Sequence, residues 1–505
     1  VGDSGGVIKP STKSGQAHWG RAAAKRGALL ASLDMASWSA KERRTAAERP
    51  EGPRPYEDFT PQERGGWKLV SQTTAGGYED WPALDEMFPA AYQGVNPNRG
   101  IEGSLIDVDS AALESRMRDY FSTRSFESFR RDHPVVCEPH AGYEPEEVRD
   151  QLRRVSSFQP DQIVPYLLFP LDTRFIYYET EGKLLNRRRP ELWDNLAKNE
   201  FLLAVPQPRR VSEARPLLAT TLFDLHLHDR GSVGFPAEVR SAPEATDLFT
   251  AGRERGATIE ANLHPALWEA LKAAWTLRGG RDGAAARKLT RSLFRAVLAI
   301  THSPQFEADH KDALAQDWAR VPLPRDAARL TELAALGEKI WKLLDPATDA
   351  RRTITDVLGT TARELAIPTR TDGGTVAEAA LVVSRSYYGA ARGDWRERPP
   401  GEGESWRDVW GATTGDLYLN DEVCFRNVPA RVWGYELGGY PVLKKWLGYR
   451  HADRRGGRPL TLAEAEHFRG VVQRLAALLV LAPALDAAYE DASAECFTAE
   501  ELGLR

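Results

Sequence analysis

The spacing of apolar side chains changes character along the chain. Residues 163–178 carry apolar, aromatic and threonine side chains without a helical repeat, which favours strands broken at Pro170. Residues 201–205 and 217–223 read as further short strands, and residues 104–108 as another ahead of Asp109. Helical periodicity then takes over. It runs through residues 260–277 and 284–300, the second with Leu289, Leu293, Phe294, Val297 and Ile300 on one face, and His302-Ser303-Pro304 stops it. Leu330, Leu333, Leu336, Ile340 and Leu343 mark an amphipathic helix of the kind that packs one domain against its neighbour. A Gly-, Pro- and Thr-rich passage follows, with a strand candidate at residues 380–383. Thr461 and Glu464 stand in capping-box spacing ahead of a last helix that continues through Leu462, Ala465, Phe468, Val472, Leu475 and Leu479. Pro483 should kink or end it. This order of elements, with no repeat of fixed period, predicts an α+β, multi-domain fold: a mixed sheet of short strands, flanking amphipathic helices and a helical C-terminal segment. The polar, Gly- and Pro-rich head reads as a short helix at residues 22–33 and an irregular linker at residues 49–64.

Composition adds bounds. A chain of 505 residues exceeds one hydrophobic core, and 42% apolar with 28% charged residues is ordinary globular content, so two to four domains are expected. Cys137, Cys424 and Cys496 lie far apart, which implies neither a disulfide framework nor a Cys-x-x-Cys metal site and fits a reducing, cytoplasmic setting. No run of about 18 apolar residues and no amino-terminal signal pattern is visible, so neither a membrane span nor an export signal is expected.

Candidate chemistry is sparse. His226 and His228, with Asp224 and Asp229, form a cluster in which alternate residues on a strand share one face, so that two imidazoles can converge. Without a third spaced ligand, the pattern points to a strand-end pair facing polar neighbours or DNA, and no metal is expected. His133 and His140 flank Cys137, but Pro134 and Pro139 suggest a loop and the spacing fits no zinc module. The string Gly2 to Gly6 mimics a serine-protease nucleophile motif with no core before it, and residues 345–444 offer no nuclease-like arrangement of carboxylates and lysine. No catalytic residue is assigned.

Charge is more informative in its distribution than in its sum. The net charge of -5 argues mildly against a protein coated in nucleic acid, yet a basic groove can sit on an acidic body. Residues 183–215 carry eight basic and four acidic side chains, and Lys444, Lys445, Arg450, Arg454, Arg455 and Arg458 form a second cluster. A duplex reader needs cations for phosphates and forked donors for guanine, and arginine supplies both. Asn186, Arg187, Arg188 and Arg189, with Arg209 and Arg210, lie beside strand ends where loops can enter a groove. Lys444, Lys445, Arg454 and Arg455 are further phosphate candidates. The plainer alternative pairs one arginine of the triplet with Glu191 or Asp194 and leaves the rest solvated. Arg174, next to the aromatic run Phe175 to Tyr178, is read as structural, as are Trp433, Tyr440 and Trp446, with Trp446 packed between the Gly438-Gly439 turn and the last helix.

Three matches, spread over five strings, carry a family resemblance. Residues 433–447 read WGYELGGYPVLKKWL, followed by a basic loop and a Leu460-Thr461 helix start that reaches His467. Residues 165–178 read PYLLFPLDTRFIYY, followed by LLNRRRPELW at residues 184–193; THSPQF at 301–306 and RVPLP at 320–324 complete the set. In order and spacing these resemble the carboxy-terminal specificity region of type ISP restriction-modification enzymes, over roughly residues 165–486. Leu171 and Leu437 depart from the usual Phe and Ile, and residues 345–404 show no clear family pattern.

The resemblance implies a double-stranded DNA-reading chain whose parent enzyme transfers a methyl group from S-adenosylmethionine to adenine N6 at a short asymmetric site. Methyltransferase and possibly helicase or nuclease domains are the implied partners, with no membrane. The sequence itself lacks an N/D-P-P-Y/F motif, Asn96-Pro97-Asn98-Arg99 being the nearest string, and it lacks both a cofactor loop and a GxxxxGK[ST] phosphate loop. No cofactor is therefore expected in this chain, and a piece of a larger protein is expected. Residues 78–94 resemble the end of the methyltransferase domain. The expected division is residues 1–125, with a trailing edge of that domain, then 126–345 and 346–505 as two parts of the recognition region. A scaffold subunit of a phage-defence complex, contacting protein more than DNA sequence, is the alternative.

Overall fold

Pro170 and Leu171 turn the first apolar run back on itself. Ile163–Phe169 and Asp172–Tyr177 pair antiparallel, and Leu171 holds the turn at φ 61°, a left-handed conformation that a leucine rarely adopts. Ile106–Asp107 and Leu222–Phe223 extend this hairpin on its two sides into a four-stranded sheet, the last pairing parallel. A second four-stranded sheet runs Tyr92–Gln93, Val233–Pro236, Phe201–Ala204, Leu217–Ala219, and a third runs Ile367–Arg370, Val423–Pro429, Thr414–Tyr418, Asp394–Arg398. The protein is described here by a computed structural model at residues 59–62, 66–69, 77–97, 102–140, 142–206, 215–228, 231–241, 258–385, 394–398, 410 and 413–505. The helix expected at residues 22–33 and the motif at residues 2–6 lie outside the described residues.

The α+β expectation holds, with several small sheets rather than one. Residues 217–223 do not form a single strand: Leu217–Ala219 and Leu222–Phe223 belong to different sheets. The helix expected over residues 260–277 is confined to Pro265–Ala274, because Thr258–Ala261 pairs with Glu238–Ser241 as a strand and Pro265 opens the helix at its first position. Residues 380–383 are not a strand. Ala380 closes a short turn of helix at Glu378–Ala380, and the Leu381 and Val383 that follow are enclosed without sitting on a pleated face. Within the expected linker, Phe59–Gln62 pairs with Gly66–Leu69.

The helices form the other half of the core. Ala284–Thr301 ends at His302, and Ser303 immediately caps Pro304–Leu314 by accepting from the Phe306 amide. Ala327–Leu344 crosses Ala284–Thr301 at Gly337, where a Cβ would lie 1.8 Å from the Arg295 carbonyl oxygen. Gly337→Ala is therefore expected to lower stability by about 1–3 kcal/mol or more through overpacking, read as a lower urea midpoint. An unchanged midpoint would contradict so close a crossing. Leu462–Ala494 opens with the expected capping box, Thr461 accepting from the Glu464 amide at 3.1 Å. Pro483 does not end it. The proline sits on the exposed face, where the carbonyl freed one turn earlier can be hydrated, while Leu481 and Leu485 on either side are buried. Among the described residues this is the one helix long and apolar enough to cross a bilayer, but it is the spine of the bundle, packed on the Ala284–Thr301, Pro304–Leu314, Ala327–Leu344 and Arg351–Leu358 helices. The core is continuous from Tyr78 to Leu502, and Tyr78 stacks on His310 at 4.4 Å.

Candidate nucleic-acid interface

Beyond the Asp172–Tyr177 strand the chain loops out to the arginine triplet and returns as the Pro190–Asp194 helix. The loop is fastened mainly through backbone. Arg187 and Asn96 exchange both amide hydrogen bonds, Asn96 donating at 3.1 Å and Arg187 at 2.9 Å. The Tyr178 hydroxyl donates to the Arg188 carbonyl at 2.7 Å, and the Tyr178 ring is itself stacked on Trp193 with centroids 4.2 Å apart. Arg189 caps the following helix at φ 61°, and its guanidinium donates to the Gly94 carbonyl at 3.4 Å and to the Gln93 side chain. Arg188 donates to the Thr180 carbonyl. The alternative pairing with Glu191 or Asp194 is not what occupies the triplet: Arg188 and Arg189 are used on carbonyl and amide oxygens. Asn186 and Arg187 are exposed, and among the described residues the Arg187 guanidinium has no partner.

The segment that holds the loop is held in turn. Val95 forms a parallel bridge with Asp224, and Gly94 lies so close that a Cβ would be 2.7 Å from the Asp224 carbonyl carbon. Asp224 is almost buried and accepts from the Tyr166 hydroxyl, from the His226 amide at 2.6 Å and from His226 Nδ1 at 3.1 Å. On the other side, the Tyr440 hydroxyl donates to the His226 carbonyl at 2.9 Å. The Lys445 ammonium lies 4.7 Å from the Tyr440 ring centroid, 5.4 Å from Phe169 and 6.0 Å from Tyr449. Arg454 extends the line over Tyr449 at 5.2 Å, and Lys444 covers Trp433 at 5.3 Å. Two basic clusters some 250 residues apart in sequence therefore meet through the 224–228 loop.

Under this surface lies a buried network of charge. Asp172 binds Arg450 at 2.9 Å and Arg174 at 3.2 Å. Burial alone would raise the Asp172 carboxyl, but the two guanidinium groups overcome it and hold it well below the usual carboxylate range. Arg455 does not face solvent as a phosphate ligand must: its side chain is 1% exposed and joins Glu102 at 3.3 Å to Glu464 at 3.0 Å. Arg174 is structural, as expected, and fully enclosed. Trp446 is 1% exposed and packs on Phe468, and its Nε1 donates to His467 Nδ1 at 3.1 Å. Burial pushes His467 down to about 4, which keeps that nitrogen free to accept.

The family model for the Type ISP C-terminal specificity domain matches residues 86–474. The chain belongs to that family. No curated protein matches it. Among solved structures, this specificity domain is similar to the DrdV-DNA complex, with TM-score 0.53 and 15% identity over 89% of this chain and 42% of that one. It is also similar to the ATP-dependent Type ISP restriction-modification enzyme LlaBIII bound to DNA, with TM-score 0.50 and 12% identity over 85% of this chain and 25% of that one. At such identities the likeness establishes the fold, and the chain spans less than half the length of either.

Of the residues chosen from sequence, the specificity domain brings Asn186, Arg187, Arg188, Arg189, Lys444, Lys445 and Arg454 to its described surface, while Arg209 and Arg210 lie outside the described residues. His226 and His228 do not converge. His228 is buried with Nε2 3.1 Å from the Arg215 carbonyl oxygen, whereas the His226 side chain is 41% exposed. No metal-holding group of three ligands occurs among the described residues. Gln93, Gly94 and Asn96 were missed because nothing in their sequence marks them as partners of a loop 90 residues later.

Proposed function

We propose that this chain selects the double-stranded DNA target of a restriction-modification enzyme. The parent enzyme, on this reading, methylates adenine N6 from S-adenosylmethionine bound by a part whose motifs this sequence does not carry. The observation that carries the reading is membership of the specificity-domain family over residues 86–474. The exposed Asn186-Arg187 tip, braced by backbone bonds to Asn96, supports it as the element that enters a groove. The free cysteines Cys137, Cys424 and Cys496 suit a cytoplasmic setting.

The test is binding of duplex DNA, with the preferred site first selected from a random-sequence library. Affinity for that site should fall about 10³-fold or more between roughly 50 and 200 mM salt. Arg187→Ala should cost about 1–3 kcal/mol on the selected site and relax preference at one base pair. Arg188→Ala and Arg189→Ala should weaken selected and scrambled duplexes alike, because they loosen the loop rather than remove a base contact. Calorimetric titration with S-adenosylmethionine should give no binding heat. Absence of any sequence preference would sink the target-selection reading.

A further inference from the structure

We propose that His226 is a phosphodiester contact at the centre of the DNA-facing surface, and that Asp224 is the positioning residue that aims it. The inference rests on the DNA-reading function above and extends it to a residue in neither basic cluster. His226 occupies the junction between the two. Through Asp224 and Val95 its loop joins the Asn96-Arg187 bridge, and through the Tyr440 hydroxyl it joins the aromatic group under Lys445. A backbone lying along that line passes the imidazole.

The chemistry of the ring fits the place. Nδ1 is committed to the Asp224 carboxylate at 3.1 Å, and the same oxygen receives the His226 amide at 2.6 Å, so both the ring and its own backbone are tied to one atom. Asp224 cannot swing away, because its second oxygen accepts from the buried Tyr166 hydroxyl. The free edge of the ring carries Nε2, which has no partner among the described residues. An oriented imidazole with a carboxylate behind it and an open nitrogen in front suits an anionic oxygen acceptor, because the carboxylate fixes the ring and leaves Nε2 as its outward polar edge. Arg189 and Arg455 make the contrast: each is basic in sequence, but their donors point at oxygens of the chain itself.

The experiment uses the full chain and three duplexes of about 30 base pairs, AT-rich, GC-rich and mixed, in a salt series from about 50 to 200 mM. His226→Gln should weaken all three about threefold to tenfold and make the dependence of log Kd on log salt shallower by up to about one, without changing thermal unfolding. His226→Lys should restore the slope. Asp224→Asn should shift slope and affinity the same way as His226→Gln, and adding it to His226→Gln should cause no further loss, whereas a structural role in bracing the loop would add one. Unchanged affinity and slope in His226→Gln would overturn the inference while leaving DNA reading intact. Weakening confined to one duplex would overturn it too, since the ring would then be reading a base. A wild-type chain that binds none of the duplexes would bring down both this inference and the function it rests on.

Discussion

Asp172→Ala is expected to cost about 3–5 kcal/mol of folding stability, measured by urea denaturation at neutral pH. The carboxylate is 2% exposed and is shared by Arg450 and Arg174, themselves almost fully enclosed, so its removal leaves the buried Arg174 guanidinium without its ion-pair partner and Arg450 with Glu464, at 3.5 Å, as its remaining counter-charge. Desolvation makes such a pair a modest net stabiliser but a costly one to break. The partners come from positions 172 and 450, so the loss should unlatch the hairpin from the C-terminal part and not merely soften one element. The Asp172 carboxyl is held below its ordinary value in the folded state. Its contribution is therefore complete above about pH 4 and disappears as pH falls through the lower folded value. A loss under about 1 kcal/mol would show that the pair is solvated in solution.

Acid should weaken the protein well before that carboxylate titrates. Burial pushes His302 down to about 3, with Arg215 adding to the effect, and burial pushes His228 down to about 4. Both rings are buried, each with Nε2 facing a carbonyl oxygen, Pro216 at 2.8 Å and Arg215 at 3.1 Å respectively. A histidine depressed in the folded state contributes its stability above the unfolded value near 6.5 and loses it as pH falls towards the folded value. Each should then cost about 3 kcal/mol by pH 4, and unfolding free energy should decline steadily from about pH 6.5 downwards. The double variant His228→Gln, His302→Gln keeps an amide donor at each place and removes both titrations. It should flatten the decline between about pH 6.5 and 4 even if it starts from a lower plateau. An undiminished slope in that variant would assign acid lability elsewhere.

Periodic elements were readable because local spacing determines them. The Ala284–Thr301 helix and the Thr461–Glu464 cap stand almost where apolar spacing and side-chain chemistry put them. What spacing could not convey is enclosure. Leu381 and Val383 look like strand residues only because tertiary neighbours bury them, and Leu217–Ala219 parts from Leu222–Phe223 because each finds a different sheet. The site divides in the same way. A basic triplet beside a strand end was visible, yet which arginine stays available depended on Gln93 and Gly94, far upstream. Arg455 differs from its sequence reading for an equally physical reason: it is enclosed between Glu464, nine residues on, and Glu102, more than 350 residues away, and no local pattern announces that this pairing is buried.

The fastening of the Asn186-Arg187 tip has an evolutionary side. Its bridge to Asn96 and the bond from Tyr178 to the Arg188 carbonyl use peptide groups, which every residue other than proline supplies in full. The identities of the side chains at 186 and 187 are thus decoupled from the shape of the loop. Substitutions there can drift without a folding penalty, and under the proposed role of this tip a lineage acquiring a new recognition sequence could explore many of them on an unaltered frame.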